Sequence, residues 1–139
     1  MRSLVPDATV DVVEIDPAVV KAARNYFSFK TDDKLTVHEE DGRVFVKKAM
    51  KAGPQFDLVM LDRNMPKMGG LEALKAIRFL YPGKERIPVM ILSADVTPEM
   101  KQEATGAGAD EFLPKPIEAT RLLDVVSDVC GKAASAAPQ

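Results

Sequence analysis

Five short apolar runs, rich in β-branched residues, alternate along the chain with stretches of helical periodicity. This alternation limits the possible folds more than any other feature. The runs are TVDVVEI (9–15), LTVHEE (35–40), FDLVMLD (56–62), PVMILSAD (88–95) and DEFLPKP (110–116). Their length and residue types predict strands. The stretches between them predict helices. PAVVKAARNYFSF (17–29) puts Val19, Val20, Ala23 and Phe27 on one stripe, with Asp16 as N-cap and Pro17 in the first turn. RVFVKKAMKAG (43–53) is amphipathic and closes at Gly53 and Pro54. GGLEALKAIRFLY (69–81) turns Leu71, Leu74, Ile77 and Phe79/Leu80 to the buried side. A fourth helix starts at the N-cap Thr97 and Pro98 and runs to Gly106 or Gly108. The last spans IEATRLLDVVSDVCG (117–131).

Strict β-α succession implies a parallel sheet with helices on both faces and right-handed crossovers. FDLVMLD and PVMILSAD are nearly all apolar, as central strands covered on both faces are. LTVHEE is more polar and suits an edge. No repeat or low-complexity linker interrupts residues 8–130. One domain over 1–131 is therefore expected, with KAASAAPQ (132–139) as a frayed, disordered tail.

Composition narrows the class. Hydrophobic residues at 46% of 139 are enough for a real core. The net charge of −2 and the absence of a basic stripe argue against nucleic acid and anionic membranes as partners. Lys47, Lys48 and Lys51 form one solvated helix face. Cys130, the single cysteine, cannot form an intrachain disulfide. No run spans a bilayer and the N-terminus lacks signal-peptide order, so a cytoplasmic location is expected.

In open α/β sheets, chemistry gathers at the carboxyl ends of the strands. Here those ends carry Glu14 and Asp16, Glu40 and Asp41, Asp62, Ser93 and Lys115. Hard oxygen ligands of this kind suit Mg²⁺. A carboxylate beside such an ion can attack a phosphoryl group to give an acyl phosphate. A lysine and a hydroxyl can then hold the new phosphoryl oxygens. Each residue alone has a plainer reading: Asp16 and Asp41 as helix caps, Asp62 as a turn residue, Lys115 as a surface charge. His38 has no second His or Cys nearby, and Cys130 reads as a packing residue.

DLVMLDRNMPKMGGLEALKAIR, PVMILSAD and EFLPKP together resemble the receiver domain of two-component response regulators and hybrid sensor kinases, over residues 56–130. The resemblance implies a flavodoxin-like, doubly wound five-stranded parallel sheet of order 2-1-3-4-5. It also implies that Asp62 is the phosphoacceptor, that Mg²⁺ is held by Asp62, the carbonyl of Asn64 and the acids Glu14 and Asp16, and that Lys115 pairs with the phosphoryl group. Ser93 and Phe112 would form the switch, with a cis Lys115-Pro116 bond. The implied partner is a histidine kinase or histidine phosphotransfer domain, or a small acyl phosphate as donor. Such a domain is a monomer or weak dimer and not an enzyme beyond its own phosphorylation and dephosphorylation. Signal would leave through the surface around residues 97–128.

One feature departs from that pattern. A receiver has two adjacent acids at the end of its first strand, whereas here Ile15 separates Glu14 from Asp16. Strand alternation puts these two on one side, roughly 6–7 Å apart. The early sequence has its own likeness. ATVDVVEIDPAVVKAARNYF, DDKLTVHEEDGRVFVKKA and FDLVMLD resemble the spermidine-synthase-like, S-adenosylmethionine-dependent methyltransferase fold over residues 4–62. That likeness implies Glu14 on ribose hydroxyls and Asp41 near adenine. The family's glycine-rich loop would fall ahead of Met1. The chain thus reads as a hybrid, methyltransferase-like over 9–62 and receiver-like over 56–130. The phosphoacceptor reading leads. An inert natural or engineered α/β scaffold comes second, and a nucleoside or S-adenosylmethionine binder third.

Overall fold

The computed structural model describes residues 9–26, 32–52, 56–63, 69–80 and 87–136. Its elements alternate as β1 (Val10–Val13), α1 (Pro17–Tyr26), β2 (Leu35–His38), α2 (Gly42–Lys51), β3 (Val59–Asp62), α3 (Gly70–Leu80), β4 (Val89–Ser93), α4 (Pro98–Gly106), β5 (Glu111–Pro114) and α5 (Ala119–Ala136). The expected order of strands and helices is therefore present. The chain divides into two compact units, residues 1–51 and 52–139.

In the first unit β1 and β2 pair in parallel, Val10 beside Leu35 through Val13 beside His38. Asp16 starts α1 as expected: its Oδ1 accepts the Ala18 N–H at 2.8 Å, and its carbonyl accepts the Val19 N–H at 3.1 Å. Pro17 follows at the first helical position, where its missing N–H costs nothing. Asp41 starts α2 in the same way, with Oδ1 on the Arg43 N–H at 2.9 Å. Val20 and Leu35 are the buried apolar residues here. Val19, expected on the buried stripe, is half exposed; Phe27, Gly53 and Pro54 lie outside the described residues.

The second unit holds the parallel sheet β3-β4-β5. β4 is the middle strand, and Val89, Met90 and Ile91 on it are fully buried. α3 packs on β3 and β4, and α4 on β5. Gly70 permits the α3 approach, because a Cβ there would lie 2.6 Å from the Asp62 carbonyl oxygen. Thr97 caps α4 through its Oγ1, which accepts the Met100 N–H at 3.2 Å. After α4 the chain turns through Gly108 at φ +102, a left-handed value that favours glycine.

Three expectations need correction. β3 is not fully covered on both faces: Leu61 on one face is buried, but Met60 on the other is 37% exposed. Phe79 is 83% exposed and Leu80 49%. The buried stripe of α3 is Gly70, Ala73, Leu74 and Ile77, and Phe79, two residues past Ile77, falls on the far side of the helix. α5 does not end at Gly131 but runs to Ala136, through an alanine-rich segment of high helix propensity. The pairings β1-β2 and β3-β4-β5 match parts of the expected order. The join of β1 to β3 is not among the strand pairings of the described residues. No helix among those residues is long and apolar enough to cross a membrane.

Candidate functional site

The register of the second sheet brings three of the expected residues to one edge. Asp62 ends β3 opposite Leu92, and Ser93 ends β4 opposite Pro114. Lys115 follows β5 directly, its N–H donating to the Ser93 carbonyl at 2.8 Å. Asp62, Ser93 and Lys115 thus stand on three neighbouring strands at their carboxyl ends. The Lys115 ammonium forms an ion pair and hydrogen bond with Asp62 Oδ2. Both side chains are about two-fifths exposed, so the pair is open to an incoming reactant.

Ser93 is completely buried, yet its hydroxyl is turned to its own loop. Oγ donates to the Asp95 carbonyl at 2.7 Å and accepts the Asp95 N–H at 3.2 Å. Phe112 is buried on β5 beside Ile91. The Lys115-Pro116 peptide is cis, as expected. Asn64 lies outside the described residues.

The remaining expected ligands belong to the first unit and serve their own backbone. Glu14 Oε1 accepts the Asp16 N–H at 3.0 Å, and Asp16 caps α1. Asp41 caps α2 and pairs with Arg43 at 2.6 Å, which matches the helix-cap reading. His38 pairs with Asp11 at 2.7 Å and its ring lies 4.7 Å from that of Phe45.

Among the described residues, no three His, Cys, Asp or Glu side chains gather as a metal group. In chemical kind the expected donors do suit Mg²⁺. Asp62, Glu14 and Asp16 all offer carboxylate oxygens, and the local bonds of Glu14 and Asp16 use only one oxygen of each.

Two features of the second unit, one beside Asp62 and one at the opposite end of the sheet, carry no local signal in the sequence. Arg63, next to Asp62, reaches Glu103 on α4 at 3.6 Å. Arg78 on α3 binds three partners: the Gly108 carbonyl at 2.9 Å, the Ile87 carbonyl at 2.6 Å and Asp110 Oδ2 at 2.8 Å. Asp110 Oδ2 also accepts the Val89 N–H at 2.9 Å, so this cluster fixes the starts of β4 and β5. Cys130 on α5 approaches the Asp57 carbonyl at 4.0 Å. Burial, with a lesser contribution from the Asp57 charge, pushes its thiol above the ordinary value.

The parallel sheet carries a carboxylate–lysine pair at its carboxyl edge, and comparison with known proteins identifies the family. Residues 10–127 match the response regulator receiver domain family, and the chain belongs to that family. It is 30% identical to the two-component response regulator ORR41 of rice over 121 residues, 87% of this chain and 91% of that protein. It is 44% identical over 79 residues to the sensory/regulatory protein RpfC of Xanthomonas campestris pv. campestris, 56% of this chain but only 11% of that protein. The chain thus spans about a tenth of the length of that relative. Among solved structures, the Vibrio cholerae chemotaxis protein CheY4 superposes with a TM-score of 0.60 at 30% identity, covering 88% of this chain and 98% of that one. CheY in the Borrelia burgdorferi CheX-CheY-BeF3-Mg²⁺ complex gives 0.62 at 27%, covering 88% of each chain. A partial likeness also reaches the polyamine aminopropyltransferase of Vibrio vulnificus, 39% over 62 residues, 45% of this chain and 21% of that protein. Receiver domains are regulatory switches, not enzymes; as a family they work with histidine kinases and phosphotransfer domains, and with Mg²⁺.

Proposed function

We propose that this domain accepts a phosphoryl group on Asp62. The single observation that carries the reading is the Asp62–Lys115 ion pair at the carboxyl edge of a parallel sheet. An Asp62 oxygen attacks the phosphorus of a phosphohistidine on a histidine kinase or phosphotransfer domain. The new O–P bond forms as the P–N bond breaks, and the electron pair leaves with the imidazole. With a small acyl phosphate as donor, a P–O bond breaks and a carboxylate leaves.

Lys115 steadies the Asp62 carboxylate before transfer and follows the charge to the phosphoryl oxygens afterwards. Ser93 joins them by giving up its two bonds to Asp95, and Phe112 is the aromatic partner in that switch. Asp62, the carbonyl of Asn64 and the acids Glu14 and Asp16 would hold Mg²⁺. When bound it supplies charge neutralisation at the phosphoryl oxygens. The family match runs from residue 10 to 127 and so takes in both units, which supports reading them as parts of one receiver domain.

The test is intact-mass spectrometry after incubation with acetyl phosphate and Mg²⁺. A single phosphoryl adduct on the parent and none on Asp62→Asn is the expected result. No adduct on a folded parent overturns the reading. A second reading, an inert hybrid scaffold, draws on the aminopropyltransferase likeness and on the use of Glu14 and Asp16 as backbone acceptors. It predicts no adduct on either protein.

A further inference from the structure

Arg63 is held from both sides. Its N–H donates to the Leu92 carbonyl at 2.9 Å, which fixes it to β4. Its carbonyl accepts the Gly70 N–H at 3.1 Å, which fixes it to the start of α3. A Cβ on Gly70 would lie 3.0 Å from Arg63 Cα, so the approach is close. The backbone just after Asp62 is therefore held on two sides, and the long Arg63 side chain extends from it toward α4. That side chain is only 20% exposed and ends 3.6 Å from Glu103 on α4, whose own side chain is 54% exposed.

Glu103 is exposed and the 3.6 Å separation is too long for a good hydrogen bond, so the pair contributes about 0–1 kcal/mol to stability. It is weak enough to exchange. Arg63 and Asp62 are adjacent, with Cα atoms about 3.8 Å apart, and the long Arg63 side chain can meet a group on Asp62 by swinging from Glu103 across the end of β3. A phosphoryl group brings roughly −1.5 to −2 charges and three acceptor oxygens. A guanidinium matches those oxygens with two parallel donors, better than it matches one distant carboxylate oxygen.

We propose that Arg63 is a phosphoryl-contacting residue of the Asp62 site, held in reserve by Glu103. On phosphorylation the guanidinium leaves Glu103 for the phosphoryl oxygens, and α4 loses its tie to the end of β3. The proposal rests on the reading of Asp62 as the phosphoacceptor.

The probe is beryllofluoride with Mg²⁺, a phosphoryl mimic on carboxylates, titrated by thermal shift and by NMR of the α4 amides. Glu103→Gln, an exposed change, is expected to tighten binding by up to about fivefold by releasing Arg63. Arg63→Ala is expected to weaken it by a similar factor. In the double variant the Glu103→Gln gain disappears, because its effect passes through Arg63. Saturation is expected to shift the α4 amides of the parent toward their positions in free Glu103→Gln. If beryllofluoride binds the parent but the single variants match it, the Arg63 proposal is overturned and the Asp62 reading stands. A Glu103→Gln gain that persists without Arg63 also overturns it, since general charge would then be the cause. If the parent does not bind, or Asp62→Asn binds equally well, the Asp62 reading fails and takes this proposal with it.

Discussion

In the first unit, Glu14, Asp16, Asp32 and Asp41 each accept a backbone N–H two residues along the chain. In the second, Arg78 reaches Asp110 across 32 residues and Lys115 reaches Asp62 across 53. The cores differ in the same direction. Leu74, Ile77, Met90, Ile91 and Leu113 are essentially sealed in the second unit, whereas Val20 and Leu35 are the buried apolar residues described in the first. Short-range bonds shape a helix start or a turn and could form in an isolated segment. Long-range bonds bring distant strand ends to one place, which a reactive site requires. Among the described residues, the first unit has longer-range links of its own in His38–Asp11, 27 residues apart, and Arg24–Glu39 at 4.0 Å. The first ties β1 to β2 and the second α1 to the end of β2, but neither adds a nucleophile.

The comparison breaks first if Asp62→Asn still takes up a phosphoryl group, since the second unit would then have no privileged edge. The next largest effect concerns stability. Arg78 and Asp110 have side chains only 14% and 20% exposed, and Arg78 serves two carbonyls as well. Arg78→Ala leaves those acceptors and the Asp110 carboxylate short of a donor. It is expected to cost about 2–4 kcal/mol in urea unfolding. Arg43 in the first unit makes a bidentate pair with Asp41 but is 43% exposed. Arg43→Ala is expected to cost less than about 1 kcal/mol. Equal losses would mean that the two units use charge alike.

A smaller effect separates the two roles of Asp16. Loss of its cap in Asp16→Ala is expected to cost about 1 kcal/mol, while Asp16→Asn, which can cap equally well, stays within a few tenths of the parent. Chemical denaturation measures both. If Asn is as damaging as Ala, the carboxylate charge matters beyond the cap, and the first unit has more than a local purpose for it.

These differences explain what could be read from the chain. Asp16, Asp41 and Thr97 were legible as caps because capping is local: an acid or hydroxyl, then Pro or Gly, then a periodic run. The alternation of strands and helices was legible for the same reason. Asp62, Ser93 and Lys115 were legible because parallel strands place their carboxyl ends together. Arg63–Glu103 and Arg78–Asp110 were not, because pairing across 40 or 32 residues depends on how α4 and α3 pack, and ordinary charged helix positions do not announce it. Phe79 misled for a related reason. Its apolar character suggested burial, but the stripe set by Ala73, Leu74 and Ile77 leaves it outside. Ser93 was placed correctly by its strand, but its bonds to Asp95 depend on loop geometry that the sequence does not encode plainly.

The smallest expected effect lies at Cys130, where a single side chain meets the chain entering β3. Burial, and then the Asp57 charge, raise the thiol above its ordinary value of 9.0. The fold therefore favours the neutral thiol over the thiolate. That contribution to stability is fully present below about pH 9 and is lost as pH rises through the folded-state value. The stability difference between the parent and Cys130→Ala is thus expected to be flat below about pH 8 and to shift against the parent as pH rises past the ordinary thiol value. Asp57→Asn removes the lesser cause: the thiol falls toward its ordinary value but stays above it, because burial remains, so the loss at high pH becomes smaller. Alkylation by iodoacetamide provides the kinetic check, since the thiolate is the reactive form. Native protein should react more slowly than urea-unfolded protein at the same pH. Equal rates would mean that the second unit does not hold its last helix closely against the chain leading into β3, and the contrast between its sealed core and the more open first unit would then stop short of α5.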